Sequence, residues 1–444
     1  MERLISLVDK HKQLILDAER YIWKNPETGY KEVKTSKYLA EKFTELGYEL
    51  TLADGITGFY TTIDTGREGP TLLILGELDS IICPSHPESD PITGAVHSCG
   101  HNAQCAALLG IAAVLKEPNA LDGLSGKIKL CAVPAEELLE IEYRTKLMEQ
   151  GKIKYFGGKP EFMHRGYFDD VDLAFMVHTT SSETFSSVPG AVGCMAKRII
   201  YKGKAAHAGG SPHLGKNALY AATCGINACN ALRETFQEKD ILRFHPIMTN
   251  GGAMVNAIPE TAVIETYIRG KSFEAMAETN KRINQALIGA ALSLGNNIEI
   301  VDKAGYAPHI NDKNMLALAK NAFKKVFPDE EFFERTEFNS GSTDMGDLSC
   351  VMPVVHPYAK GAKGTGHGND YYIVDPINAC INSAKWQLSM LYTLLSDGAT
   401  LAKKIVSEHT PRFPSIKAYL EYMDSLESDG DRITYLDGKA EIRL

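Results

Sequence analysis

The sequence predicts an α/β fold: a catalytic α/β domain with a mixed sheet, interrupted by a ferredoxin-like (βαββαβ) domain. Three observations predict it. Short, continuously apolar β-rich runs alternate with helix-periodic segments through residues 1–188, as in a sheet covered on both faces. Across 189–305 the order becomes βαββαβ, the split βαβ unit. From 306 the helix–strand alternation returns and runs toward 444, so the larger domain is expected in two pieces around the smaller one.

In chain order, Leu4, Val8, Ile15, Ala18 and Ile22 recur at helical spacing, as do Val33, Leu39, Phe43 and Leu46 before Gly47 stops the pattern. Gly58–Asp64 and Thr71–Leu75 read as strands, Ala103–Lys116 as a helix, and Lys127–Val133 and Leu173–Val177 as strands. In the insertion, strand Gly193–Lys202, helix Asn217–Arg233, strands Ile241–Thr249 and Thr261–Arg269, helix Phe273–Leu294 and strand Ile298–Val301 follow one another. Helix Lys313–Phe327, strand Val351–His356 and helix Ile377–Leu395 complete the larger domain. Residues from about 400, with Pro411 and Pro414, read as a helical appendage.

Composition narrows the function. The 444 residues carry 47 Lys plus Arg against 56 Asp plus Glu, a net charge of −9, the wrong sign for a dedicated nucleic-acid binder. The longest apolar stretch, Cys105–Leu115, is far short of the roughly 20 residues that span a bilayer, so no membrane partner is expected. The N-terminus alternates charged and apolar residues, unlike a secretory signal. Nine scattered cysteines read as reduced thiols in the cytoplasm.

Four segments place metal-ligand residue types just after a strand or at a helix start, where ligands gather in open α/β sheets. They are His97-Ser98-Cys99-Gly100-His101-Asn102, Pro134-Ala135-Glu136-Glu137, His178 after Phe175-Met176-Val177, and Gly364-Thr365-Gly366-His367-Gly368. Gly100 allows a tight bend between Cys99 and His101, and Asn102 could cap the helix that follows. Each segment alone is as well explained by a packed cysteine, a solvated acidic loop or a half-buried histidine. Together, Cys99, His101, Glu137, His178 and His367 supply one thiolate, three imidazoles and one carboxylate, a mixture suited to a borderline-soft divalent ion. Five ligands exceed what one open catalytic site uses and suit two neighbouring ions with a shared ligand.

With Gly-Lys-Ala-Ala-His-Ala-Gly at 203–209 and Asn-Gly-Gly-Ala-Met-Val-Asn-Ala-Ile-Pro at 250–259, the sequence resembles the amidohydrolase branch of the cocatalytic metallopeptidases. That branch includes aminoacylase, carboxypeptidase G and the indole-acetyl-amino-acid hydrolases. Asn102 and Gly341-Ser342-Thr343-Asp344-Met345-Gly346-Asp347 are similar to the subgroup of aminobenzoyl-glutamate hydrolase and β-alanyl-lysine dipeptidase. The resemblance implies two divalent ions, zinc or manganese, bridged by Cys99, with His101 and His178 on one and Glu137 and His367 on the other. It implies Glu136 as general base, Asp79 as orienter of the ligands, and His207 as an oxyanion donor reaching across a homodimer. It further implies that Asn256 and Arg269 hold the free carboxylate of an N-acyl-amino acid or small dipeptide. One departure stands out: relatives have aspartate where Glu77 stands in Gly76-Glu77-Leu78-Asp79.

Two other readings compete. A non-catalytic amino-acid- or peptide-binding protein on the same scaffold would have lost some of these groups, yet all are present. A Cys99 nucleophile is poorly served, because His101 lies on the same turn and no third orienting group is evident.

Overall fold

Thr71–Glu77 forms a strand buried at all seven positions, as its run Thr-Leu-Leu-Ile-Leu-Gly-Glu requires of a central strand. It pairs in parallel with Lys127–Val133 on one side and with Leu173–Phe175 on the other, and Val354–Val355 extends the parallel run. Phe59–Asp64 and Thr51–Leu52 add antiparallel strands at the opposite edge, so this six-stranded sheet is mixed. Helix His101–Leu115 is buried along its whole length; its Ala-rich sequence has no polar face to expose. The expected first helix is two, Glu2–Lys10 and Lys12–Trp23, broken at His11.

Residues 1–444 are all described in this computed structural model, and they divide into two units. The larger unit holds Met1–Gly190, His309–Asn339 and Thr343–Lys417; the inserted unit holds Ala191–Pro308, Ser340–Ser342 and Ala418–Leu444. The mixed α/β class expected from the sequence is what the chain adopts.

In the inserted unit, Gly193–Lys202 lies between Thr261–Gly270 and Asn297–Tyr306, antiparallel to both. Arg243–Phe244 and Ile247–Asn250 pair with the outer side of Thr261–Gly270. Helices Ala218–Ala231 and Phe273–Ser293 supply Ala222, Cys229, Ile283 and Leu287 to a core shared with Ile199, Ile264 and Ile300. The C-terminal residues include the expected helices, Thr400–Glu408 and Ile416–Ser425, but only residues up to 417 group with the larger unit. Residues 418–444 group with the inserted unit and end in a hairpin, Ile433–Leu436 with Lys439–Ile442. Backbone pairing of Ser428 with Asp302 and burial of Ile433 in the inserted core fasten them there. Ile433-Thr434-Tyr435-Leu436 followed by Asp437-Gly438 is the sequence signal of that hairpin, which the helical reading passed over.

Candidate metal centre and active site

Three adjacent parallel strands of the larger unit deliver the site from their carboxyl ends, as the sheet geometry dictates. Thr71–Glu77 runs into Asp79, Lys127–Val133 into Glu136 and Glu137, and Leu173–Phe175 toward His178. His178 opens a second, short strand, His178–Thr180, in parallel register with Tyr358–Lys360. The fourth segment arrives on the loop of the hairpin Ala362–Lys363 with Tyr372–Ile373, where the His367 backbone N–H donates to the Ser98 carbonyl at 2.8 Å. Gly100 is obligatory in the turn between Cys99 and His101. Its φ is +92°, and a Cβ there would sit 1.9 Å from Thr179 Oγ1.

Five side chains gather into two overlapping groups: Cys99 with His101 and His178, and Cys99 with Glu137 and His367, the donor atoms within 4.8 Å of one another in each. Both helix- and strand-borne histidines are oriented from behind. His101 Nδ1 donates to the Asp79 carbonyl at 2.9 Å, and His178 Nδ1 donates to the Thr179 carbonyl at 2.7 Å, which leaves each Nε2 facing the cluster. The Asp79 carboxylate lies 3.2 Å from His101 Nδ1 and accepts the Glu137 backbone N–H at 2.8 Å. One buried side chain therefore aligns a residue of each group. Asn102 does not cap the helix; Gly100 occupies the N-cap position. The Asn102 amide donates instead to the buried Glu19 at 2.7 Å, because the first helical turn is packed rather than solvated.

The electrostatics favour ligating forms. Burial and the Glu137 charge oppose ionisation of Cys99, yet the His101 and His178 imidazoles bring its thiol down to about 6. Burial likewise opposes the Glu137 charge, but His367, 2.8 Å away, pulls its carboxyl down to about 2. Burial pushes the Glu136 carboxyl well above the usual range, and the Glu77 and Glu137 charges add to the shift. A thiolate common to both groups, with His101 Nε2 buried and lacking a hydrogen-bond partner, fits a pair of divalent cations. Cation binding there would release the protons these groups otherwise hold.

Comparison with known proteins assigns the family. The model of peptidase family M20/M25/M40 matches residues 74–392, more than half of the chain. The chain belongs to that family. As an M20 chain it is a hydrolase acting on amide bonds of the peptide type. It is 29% identical over 390 residues to the Xaa-Arg dipeptidase of Homo sapiens, covering 83% of this chain and 82% of that one. It is 28% identical over 335 residues to the N-acetyl-L-cysteine deacetylase of Bacillus subtilis, covering 72% and 74%. Among solved structures, a dinuclear metal-binding M20 peptidase of Bacillus subtilis shares the fold, with a TM-score of 0.63 at 18% identity over 87% of this chain and 99% of that one. No helix of the M20 chain is long and apolar enough to cross a membrane.

The inserted unit carries the other expected residues. His207 is exposed, and its Nδ1 accepts the backbone N–H groups of Gly209 and Gly210 at 3.1 and 2.9 Å. That assigns the proton of the neutral ring to Nε2. Asn256 is exposed beside it, its carbonyl accepting the Ala208 N–H at 2.9 Å. Arg269 is half-buried, donates to Ser342 Oγ at 2.9 Å and lies over the Tyr267 ring.

Sequence reasoning missed a buried charge cluster behind His101. Lys159 donates to Glu77 Oε1 at 2.6 Å and pairs with Asp344, and its backbone N–H donates to the same aspartate at 2.9 Å. All three side chains are closed to solvent. Glycine at 158 lets this segment lie against the Pro134 carbonyl, which a Cβ would meet at 1.7 Å. Glu77 and Asp344 sat in segments already singled out, whereas Lys159 had no distinguishing context.

Proposed function

We propose that the chain cleaves the amide bond of N-acyl-amino acids or small dipeptides with a free carboxylate. It would act as a cytoplasmic homodimer holding two divalent ions, zinc or manganese, per chain. The observation that carries the reading is the pair of donor groups sharing Cys99, with a Glu136 carboxylate 3.8 Å from His101 Nε2. The nine free cysteines suit a reducing compartment.

In this mechanism Cys99, His101 and His178 would hold one ion, and Cys99, Glu137 and His367 would hold the other. When bound, the ions supply Lewis acidity toward the scissile carbonyl and the attacking water. Asp79 keeps His101 and Glu137 aligned. Glu136, buried and with its proton affinity raised, takes a proton from the attacking water and delivers it to the departing amine, a role worth roughly 10²–10⁴-fold. His207, with its proton on Nε2, donates to the developing oxyanion in the partner's site. Arg269, held by Tyr267 and Ser342, pairs with the substrate carboxylate, and Asn256 adds a hydrogen bond.

The test is a hydrolysis screen of the ion-free and reloaded protein over Xaa-Arg and β-alanyl dipeptides, N-acyl amino acids and p-aminobenzoyl-glutamate. Zinc and manganese are compared in parallel. Ion-dependent release of a free amino acid is expected. Binding of two ions without hydrolysis of any of these classes would overturn the substrate assignment.

A further inference from the structure

Behind His101, Lys159 is met by two carboxylates, Glu77 and Asp344, all three fully buried. Asp344 matches the ammonium charge, so the Glu77 carboxylate turns its other oxygen to the His101 ring, in a pocket closed to solvent. A buried ion in that position demands a counter-charge or a full set of hydrogen bonds. Glu77 Oε1 has its hydrogen bond from Lys159, but Oε2 has none. That bare oxygen faces His101 Nε2 at 3.2 Å, and Nε2 is equally without a hydrogen-bond partner. Glu77, His101 and Glu136 form a third group whose donor atoms lie within 4.8 Å of one another. Two buried donor atoms, neither with a hydrogen bond and each meeting the other, thus point into one space.

We propose that Glu77 is an additional carboxylate ligand of the ion held by His101, with Lys159 and Asp344 as positioning residues that fix which of its oxygens faces the ion. The inference rests on the two-ion reading above. The Glu77 side chain reaches both Lys159 and the space beside His101. Glu77 shares His101 with the Cys99–His101–His178 group, and approaching the ion from that side it would raise the coordination number and add a hard oxygen donor. Oxygen donors suit manganese better than a thiolate–imidazole set alone does.

The experiment strips the full-length protein with a chelator and titrates Mn²⁺ and Zn²⁺ back against a competing indicator, in wild type and Glu77→Gln. Wild type should take up two ions per chain. In Glu77→Gln one of the two affinities should fall by about 10- to 100-fold, more for Mn²⁺ than for Zn²⁺, with the other unchanged. Two ions bound with wild-type affinities would overturn the role of Glu77 while leaving the two-ion reading intact. A wild type that binds no ion would overturn both. Equal weakening of both ions, accompanied by a lower melting temperature of the ion-free protein, would make Glu77 a packing residue and overturn the proposal. Should the variant fail to fold, a crystal structure of the Mn²⁺- or Zn²⁺-loaded wild type decides. Glu77 Oε2 within about 2.0–2.2 Å of the ion at His101 supports it, and a separation beyond the ligating range overturns it.

Discussion

In the inserted unit Lys197 meets Asp302 in a fully buried pair; in the larger unit Lys159 meets Asp344 and Glu77 in another. In the first network both oxygens of the carboxylate are met. Asp302 Oδ1 takes Lys197, and Oδ2 accepts from Asn280, Asn284 and Ser428 at 3.0–3.1 Å, while Lys197 also donates to Asn284. One cation balances one anion, and the partners come from Gly193–Lys202, Phe273–Ser293, Asn297–Tyr306 and the C-terminal residues, so the network ties that unit together. In the second, one lysine faces two carboxylates, and one Glu77 oxygen has no hydrogen bond and meets only the His101 ring. The same residue types build a fastening where every carboxylate oxygen is hydrogen-bonded, and a place for a cation where one is not.

The comparison can be broken from both sides. The largest effect is expected in the open cluster: Glu136→Ala should fold and bind its ions but lose roughly 10²–10⁴-fold in kcat, read by steady-state kinetics beside ion analysis. A variant with near-normal turnover would remove Glu136 as the base. Next comes Lys197→Met in the first network, which strands the Asp302 charge and should cost about 3–5 kcal/mol of stability. Denaturant unfolding measures the loss, and ion binding by the folded protein should be unaltered.

A third expectation concerns His309, buried with Nε2 2.8 Å from the Asn311 side-chain oxygen. Burial lowers its pKa to about 4 from an ordinary 6.5. The unfolded chain therefore binds more protons between those values, and stability falls as pH drops from about 6.5 toward 4. The share of this histidine is about 3 kcal/mol at 1.36 kcal/mol per unit. Melting of ion-free wild type and His309→Gln across pH 7 to 4 should show a shallower acid limb in the variant; parallel limbs would refute the assignment. Smallest is Asn102→Asp. It replaces the donor to buried Glu19 by a like charge and should cost about 1–3 kcal/mol, measured as a shift in the unfolding midpoint.

Much of the site was legible because metal ligands are chemically distinctive and sit at strand ends. Cys99, His101, Glu137, His178 and His367 could be chosen by residue type, and the parallel run of Thr71–Glu77 with its neighbours brings their segments to one edge. Asp79 was readable only through resemblance, since nothing in its spacing says that it faces both His101 and Glu137. Lys159 was not readable at all. A lysine between glycine and proline looks like a surface loop, and only the close approach of that segment to Pro134 buries it.

Periodicity and apolar runs determined the α/β class, the ferredoxin-like insertion and most element bounds, because those patterns reflect which face of each segment leaves water. Local composition also determined which residues could ligate a cation. Tertiary structure alone decided which lone pairs remain unmatched and where the C-terminal hairpin docks. Both depend on distances between atoms remote in the chain, and for a buried charge those distances set whether it is neutralised or left seeking a partner.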